Sequence, residues 1–477
     1  MFDVIIMGAG PAGITAAERA AELGAKTALI TKEYVGGMAA NDGPVPVRTL
    51  AHAARLVREA NQLAQYGIEA EPPSVNYQKL MGRVQSVVYT LHEQLDLRGD
   101  LEMKGVAIYE QAGEARFVDP HTIEMASGQR LSGKNIIVCT GGRSRSLPIP
   151  GFEHAITHSD AWNLTDLPDS MAVIGSGATG AQVASIFNAF GTRVSLFELA
   201  PRILMTEDED VSTAIKAAFE AHGMTVIEGF EGIEQIEKTN DGIRFRYKLA
   251  GQSHTLTVSA LVMAVGWLAN AEGLNLKAAG VATNRAGYIQ VNEYMQTNVP
   301  HIFAAGDVNG QSMLVPTGSQ EGYYAASNAV NGLRHILQFD LIPTGSYTDP
   351  EYAKIGLTEA QAREQFDVVA ATIGFDSFPR SIIDGRTTGF CKLIADRQTH
   401  KLLGCHLVGE RAVETVQLVA AGMKAGLTVS QLADLPLSFP TYVEIVGWAA
   451  YDIVQQLGLD GGEPHWAAHS VTHRVKR

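Results

Sequence analysis

The sequence is short of cysteine, short of basic charge and without a long apolar run, and each shortage removes a class of function. Three cysteines occur in 477 residues, Cys139, Cys391 and Cys405. Their spacing fits neither a CxxC redox motif nor a metal site. Each stands in an apolar, strand-like stretch where a free thiol fills a small core position. Lys and Arg number 37 against 51 Asp and Glu, a net charge of −14. That balance repels phosphate backbones and anionic lipid, so nucleic acid is not an expected partner. No apolar run approaches the roughly 20 residues that span a bilayer, and no membrane span is expected. Met1 leads straight into Phe2-Asp3-Val4-Ile5-Ile6-Met7, with no basic segment or small-residue cleavage site. A cytoplasmic location is the expectation.

What is present is a globular composition, 46% hydrophobic and 18% charged, in a chain long enough for two to four domains. Two glycine fingerprints stand in it. The buried-strand run Phe2 to Met7 is followed by Gly8-Ala9-Gly10-Pro11-Ala12-Gly13, an Ala-rich helical stretch and the strand Lys26-Thr27-Ala28-Leu29-Ile30. Glycines at this spacing allow a tight turn, close approach of backbone to a pyrophosphate, and packing of helix on strand, while the helix N-terminus attracts phosphate. The unit recurs as Ser170-Met171-Ala172-Val173-Ile174, Gly175-Ser176-Gly177-Ala178-Thr179-Gly180, a helix, and a strand ending at Glu198. Two such units imply two dinucleotides. Glu198 lies 18 residues past Gly180, where a carboxylate bonds both ribose hydroxyls and repels a 2′-phosphate, which favours NADH over NADPH. The first unit has Thr31 at that offset, with Glu33 two residues on; either side chain is open as the ribose contact.

Further segments carry a family likeness. Asn135 to Gly142 with Leu147-Pro148-Ile149-Pro150-Gly151 is similar to an ATG strand and IPG linker. Thr297 to Val308 contains Ala304-Ala305-Gly306-Asp307, and Leu261 to Gly266 looks like a returning strand. Tyr347-Thr348-Asp349-Pro350-Glu351 and the stretch Leu402 to Gly409 follow. Together they resemble the pyridine nucleotide-disulfide oxidoreductases, the group of dihydrolipoamide dehydrogenase, glutathione reductase, mercuric reductase and soluble transhydrogenase. The likeness runs from Phe2 to about Leu457.

The resemblance implies an α/β fold: two Rossmann-type dinucleotide-binding domains, for FAD and NAD, and a C-terminal α+β dimerisation domain. It assigns residues 1–150 and 270–340 to a discontinuous FAD domain, 151–269 to an NAD(P) domain and 341–477 to the dimerisation domain. It also implies a homodimer whose active sites are completed across the interface. FAD contacts are expected from Gly8, Gly10, Pro11, Ala12, Gly13, Thr31, Glu33, Gly37, Met38, Thr140, Gly141 and Asp307. Nicotinamide-nucleotide contacts are expected from Gly175, Gly177, Gly180, Glu198 and Gly266.

The family pattern GGTCxNxGCxPxK lies over Gly36, Gly37, Asn41, Gly43 and Pro46, with Ala39 and Pro44 at its two sulfur positions. The family's HPTxxE reads Phe439-Pro440-Thr441-Tyr442-Val443-Glu444, so the acid/base His is Phe439 and its Glu is Glu444. Glu444 is either an orphan structural carboxylate or an acid/base for a bound acceptor. The Lys that approaches the flavin is Arg48. Its usual Glu partner is Gln182, and the Tyr that gates the nicotinamide pocket is Ala178. Arg48 is therefore expected to lack a counter-ion. The three cysteines fall far from the flavin by family position.

These replacements point to an FAD-dependent NADH:acceptor oxidoreductase of diaphorase or quinone-reductase type, with Arg48 and Glu444 as the candidate catalytic residues. Quinone, oxygen and a second nucleotide stay open as acceptors, the last giving a transhydrogenase-like enzyme. A flavin- and nucleotide-binding protein with little turnover, a sensor or assembly partner, is the alternative. His465, His469 and His473 fall four apart and would share one helix face. Without Asp or Cys beside them no metal site is expected; docking of this tail over the acceptor side stays open.

Overall fold

A computed structural model describes residues 1–337 and 341–459; the His465, His469 and His473 row lies outside the described residues. The first fingerprint opens on the strand Phe2–Met7, whose last four residues are buried. Strands buried on both faces read as continuous apolar runs, as parallel sheets require. This strand pairs in parallel with Thr27–Ile30 on one side and Arg130–Val138 on the other. Ala107–Tyr109 and Ile302–Ala304 extend the parallel part, and the antiparallel strands Arg116–Asp119 and Thr122–Glu124 complete seven.

The helix Pro11–Glu22 crosses over between the first two strands. Ala12, Ala16, Ala17 and Ala20 are buried along it. Their small size lets the helix Val315–Asn331 approach until Gly322 meets the Ala12 carbonyl, a place where a Cβ would collide. Alanine-rich composition thus serves helix contact as well as propensity.

The second fingerprint repeats the architecture in a four-stranded parallel sheet ordered Thr225–Glu228, Arg193–Glu198, Ser170–Ile174, Ala260–Met263. A three-stranded antiparallel sheet over 232–258 packs Phe245 against Phe197, with ring centroids 5.5 Å apart. From Ala260–Met263 the chain returns through Trp267–Ala269, which pairs with Gly142–Ser144. The C-terminal part is a five-stranded antiparallel sheet over 344–408 packed by the helices Ala412–Ala425 and Glu444–Leu457. The molecule is mixed α/β, as expected. No helix among the described residues is long and apolar enough to cross a membrane.

Lys392 links the second sheet unit to the C-terminal sheet. Its ammonium is nearly buried among Asp208 and Glu359, both at 2.9 Å, and Asp210. Ion pairing holds the Asp208 and Glu359 carboxyls below their usual range against the opposing effect of burial.

Candidate functional site

The first cradle is built where backbone meets backbone. Gly8 has φ +109°, and a Cβ there would collide with the Cys139 carbonyl; a Cβ on Gly13 would collide with the Gly8 carbonyl. Gly37, at φ +59°, would place a Cβ 2.6 Å from the Gly10 Cα. Two backbone segments therefore touch at Gly10 and Gly37, and no side chain stands between them. Such a cradle, open at a helix N-terminus, fits the pyrophosphate of a dinucleotide. Pro11, Ala12 and Met38 belong to the same two segments: Pro11 opens the crossover helix, and Met38 lies in the short helix Gly37–Asn41.

Asp307 follows Gly306, and burial raises its carboxyl. Beside it, Glu321 is fully buried, accepting from the Gly306 N–H at 2.5 Å and Asn309 Nδ2 at 2.7 Å. Its Oε1 has no hydrogen-bond partner among the described residues, and burial pushes this carboxyl up to about 7. A buried, half-satisfied carboxylate at the edge of a cradle fits a site that a polar ligand completes. Thr140 and Gly141 are held by Asn270, which accepts from Thr140 Oγ1 through its carbonyl at 2.8 Å and donates its Nδ2 to the Thr140 and Gly142 carbonyls. Thr31 is buried at its strand end, whereas Glu33 is exposed.

The second cradle repeats the pattern with Gly175 at φ +96°, Gly177 capping the helix Ala178–Ala189, and Gly180 against the Gly175 carbonyl. Gly266, at φ +102°, follows the strand that borders it. Glu198 is fixed at the mouth: Oε2 accepts from the Ser176 N–H at 2.9 Å and Oγ at 2.5 Å, and Oε1 accepts from the Ala200 N–H at 2.9 Å. Ser176, the variable residue inside the fingerprint, thus aims the carboxylate.

The altered motif forms the helix Gly37–Asn41 and the start of the helix Pro44–Ala60. Arg48 does not lack a counter-ion, contrary to the sequence-based expectation. Its Nη2 lies 3.6 Å from Glu414, and its guanidinium sits 3.7 Å from the centroid of Tyr347. Gln182, instead of pairing with Arg48, accepts from the Tyr347 N–H at 3.3 Å. Glu414 replaces the missing Glu because a helix of the C-terminal part reaches the site, which no local pattern shows.

Glu444 is buried and Trp448 Nε1 donates to it at 3.4 Å. An indole stands one helical turn from it. Phe439 is half-exposed. Cys139 stands against Gly8 and Gly13 at the first cradle, and burial raises its thiol well above the usual range. Cys391 and Cys405 lie 4.0 Å apart, buried inside the C-terminal sheet.

Two features escaped the sequence. Asp42, between the former sulfur positions, accepts from Ser159 Oγ at 2.5 Å, and Ser159 lies 3.4 Å from His158 Nε2. Asn41 Oδ1 lies 2.6 Å from His92 Nε2 on the helix Tyr77–Leu95. Asn41, Asp42 and His92 border a cavity of about 700 Å³ whose lining includes Pro46, Met81, Val88 and Trp162. A second cavity, about 480 Å³, is lined by Arg48, Arg55, Arg58 and Arg386 together with Asp349, Glu351 and Glu410.

Comparison with known proteins agrees with two cradles and a separate C-terminal sheet. Residues 2–322 match the pyridine nucleotide-disulphide oxidoreductase model, and residues 342–450 match the dimerisation domain of the same group. The chain is 32% identical to a mercuric reductase of Lysinibacillus sphaericus, over 94% of this chain and 82% of that one. It is 31% identical to a dihydrolipoyl dehydrogenase of Bacillus subtilis, over 98% and 99%. Among solved structures it resembles the HOCl-induced flavoprotein disulfide reductase RclA from Escherichia coli, with TM-score 0.84 and 26% identity over 94% of this chain and 99% of that one. Members of the group bind FAD and NAD(P)H, and the residues of both cradles fit such ligands. This chain belongs to the pyridine nucleotide-disulphide oxidoreductase family, as an NAD(P)H-dependent flavoprotein oxidoreductase.

Proposed function

We propose that this enzyme transfers electrons from NADH to a diffusible, flat carbonyl acceptor of quinone type, with no catalytic disulfide. The observation that carries the reading is Ala39 and Pro44 at the two sulfur positions beside two complete nucleotide cradles. Neither side chain exchanges electrons. Phe439 in place of the acid/base His fits the same loss, since that base serves to form and protonate a thiolate. FAD, when bound, would supply the chemistry of accepting one hydride, with its two electrons, and passing the electrons on.

The chain's own residues bind and orient. Gly8, Gly10, Gly13 and Gly37 open the first cradle, and Asp307 with Glu321 offers the polar edge to which the cofactor's sugar alcohol chain would bond. Glu198, aimed by Ser176, selects against a ribose 2′-phosphate, so NADH is preferred to NADPH. Arg48 brings a cation to the helix after Pro44, held off by Tyr347 and Glu414. Methyl, ring and phenyl surfaces at Ala39, Pro44 and Phe439 suit a flat oxidant better than a thiol. The match to a dimerisation domain supports a homodimer.

Anaerobic titration of the purified holoprotein with NADH tests the reading. The flavin should bleach completely at one NADH per FAD, without the long-wavelength charge-transfer band that a neighbouring thiolate produces, and p-benzoquinone should restore the oxidised spectrum. A flavin that NADH leaves oxidised would sink the proposal and favour a binding protein with little turnover. Restoration by NADP but not by quinone would identify a transhydrogenase-like enzyme.

A further inference from the structure

We infer that the cavity lined by Arg55, Arg58 and Arg386 is an anion site, which takes the phosphate group of a small molecule and is separate from both nucleotide cradles. It measures about 480 Å³, within the range of small-molecule sites. Among the described residues, neither the cradle glycines nor Glu198 line it. Three parts of the chain enclose it: the helix Pro44–Ala60, the helix Glu209–Ala221 of the second nucleotide unit, and the segments 347–351 and 385–388 of the C-terminal part.

The residue pattern of the two helices sets the character of the walls. On Pro44–Ala60, Arg48, Ala51, Arg55 and Arg58 follow at spacings of three, four and three, which places them on one face. Arg55 and Arg58 are one turn apart, and like charges at that spacing work against a helix. The helix Glu209–Ala221 contributes methyl groups instead, from Ala214, Ala217, Ala218 and Ala221, which also share one face. A chain with a net charge of −14 thus gathers cations on one wall of this cavity and leaves another wall uncharged.

The carboxylates around the cavity do not match these cations one for one. Glu410 serves three guanidiniums, with Arg55 Nη1 at 2.7 Å, Arg411 Nε at 3.5 Å and Arg386 Nε at 4.0 Å. Arg55 also has Glu59 at 2.6 Å, and Arg58 Nε has Asp349 at 2.8 Å. Arg386 is left with the longest of these contacts, and its buried Nη2 has no hydrogen-bond partner among the described residues. Burial, with the charges of Arg386 and Arg55, lowers the Arg58 guanidinium below its ordinary value against the opposing effect of Asp349.

A mostly buried cation short of a counter-charge is costly, and an anion in the cavity supplies that charge. Guanidinium forks from different segments suit a tetrahedral phosphate, whose oxygens accept from several directions, better than a planar carboxylate. The alanine wall leaves space beside the phosphate for an uncharged organic body. Free phosphate and a phosphate ester share the chemistry that the arginines recognise.

Calorimetric titration of the FAD-loaded protein, with saturating NAD+ to fill the second cradle, tests the site. Inorganic phosphate and phenyl phosphate are the probes, with chloride at matched ionic strength as the control. One saturable site per chain is expected, with Kd of about 1 mM or tighter. Tighter binding of phenyl phosphate would assign the site to a phosphate ester, and equal or weaker binding to free phosphate; both support the anion site. Arg386→Gln removes the under-paired charge. Ala217→Glu, at an exposed helix position, sets a carboxylate at the cavity without touching an arginine. Each should weaken binding at least about 10-fold, and Arg386→Lys should recover part of the loss, because an ammonium keeps the charge without the fork. Flavin-to-protein absorbance ratios check that the variants fold; if Arg386→Gln does not, Ala217→Glu carries the comparison. No saturable binding up to about 10 mM overturns the proposal, as does a response that chloride reproduces, or wild-type affinity in either folded variant.

Discussion

Arg48 sits over Tyr347, its guanidinium carbon 3.7 Å from the ring centroid, while Nη2 faces Glu414 at 3.6 Å. The contact ties the helix Pro44–Ala60 to the C-terminal part, and the Tyr347 N–H continues it to Gln182 in the second nucleotide unit. Three parts of the chain meet at one cation. Arg48→Ala should cost about 1 kcal/mol, the scale of an exposed cation–π contact with a weak ion pair. Arg48→Lys should recover only part of it, because an ammonium lacks the planar stacking face. Urea midpoints of the three proteins check the order.

Gly37→Ala should empty the first cradle. The added methyl would stand 2.6 Å from Gly10 Cα on a backbone at φ +59°, and neither backbone segment has room to retreat. Purified protein should lose most of its flavin, read as the ratio of flavin to protein absorbance. Gly82→Ala is the control, since nothing lies within 4 Å of its Cβ position and helix propensity favours alanine there by about 1 kcal/mol.

Glu198→Arg should exchange the preferred nucleotide. Replacing a carboxylate that Ser176 and Ala200 hold in place by a cation removes the repulsion of a 2′-phosphate. The ratio of kcat/KM for NADPH over NADH should rise by at least about 10-fold, equivalent to about 1.4 kcal/mol. An unchanged ratio would show that the 2′ position is read elsewhere.

Lys392→Met should be among the costlier single substitutions. The side chain is 6% exposed and its removal leaves Asp208, 4% exposed, beside Glu359 and Asp210 with no cation between them. Breaking a buried pair from one side costs about 3–5 kcal/mol. Thermal unfolding should shift well below wild type, and the additional change Asp208→Asn should recover part of the loss.

Glu351 makes stability fall with rising pH. Burial, and then the Glu414 charge, push its carboxyl up to about 7 from 4.5. The folded chain therefore holds a proton that the unfolded chain releases earlier. The associated stability is complete below about pH 4.5 and is lost as pH rises through about 7. Glu351→Gln abolishes this dependence, so the variant should gain on the order of 3 kcal/mol over wild type above about pH 8 and little at about pH 4. Melting temperatures across that interval give the comparison.

The amino-acid pattern is enough to locate both cradles and the segment that resembles the family's GGTCxNxGCxPxK. A glycine fingerprint encodes backbone geometry over six residues, and Gly8, Gly13, Gly175 and Gly180 meet carbonyls a few residues away or on the adjoining strand. Ala39, Pro44 and Phe439 are equally local statements, each a residue type that cannot do the chemistry of its position. The counter-ion of Arg48 and the partners of Asn41 and Asp42 were different matters. Arg48 finds Glu414, Asn41 finds His92, Asp42 finds Ser159 and Lys392 finds Asp208. Each pair is far apart in the chain and is joined only when elements from different parts pack together. Burial likewise raised Glu321 and Glu351, and exposure is a property of the folded whole. Sequence alone determined which side chain stands at each motif position, because residue type is fixed by the chain; tertiary structure decided what each of them meets, because Coulomb and hydrogen-bond energies depend on distances that only packing fixes.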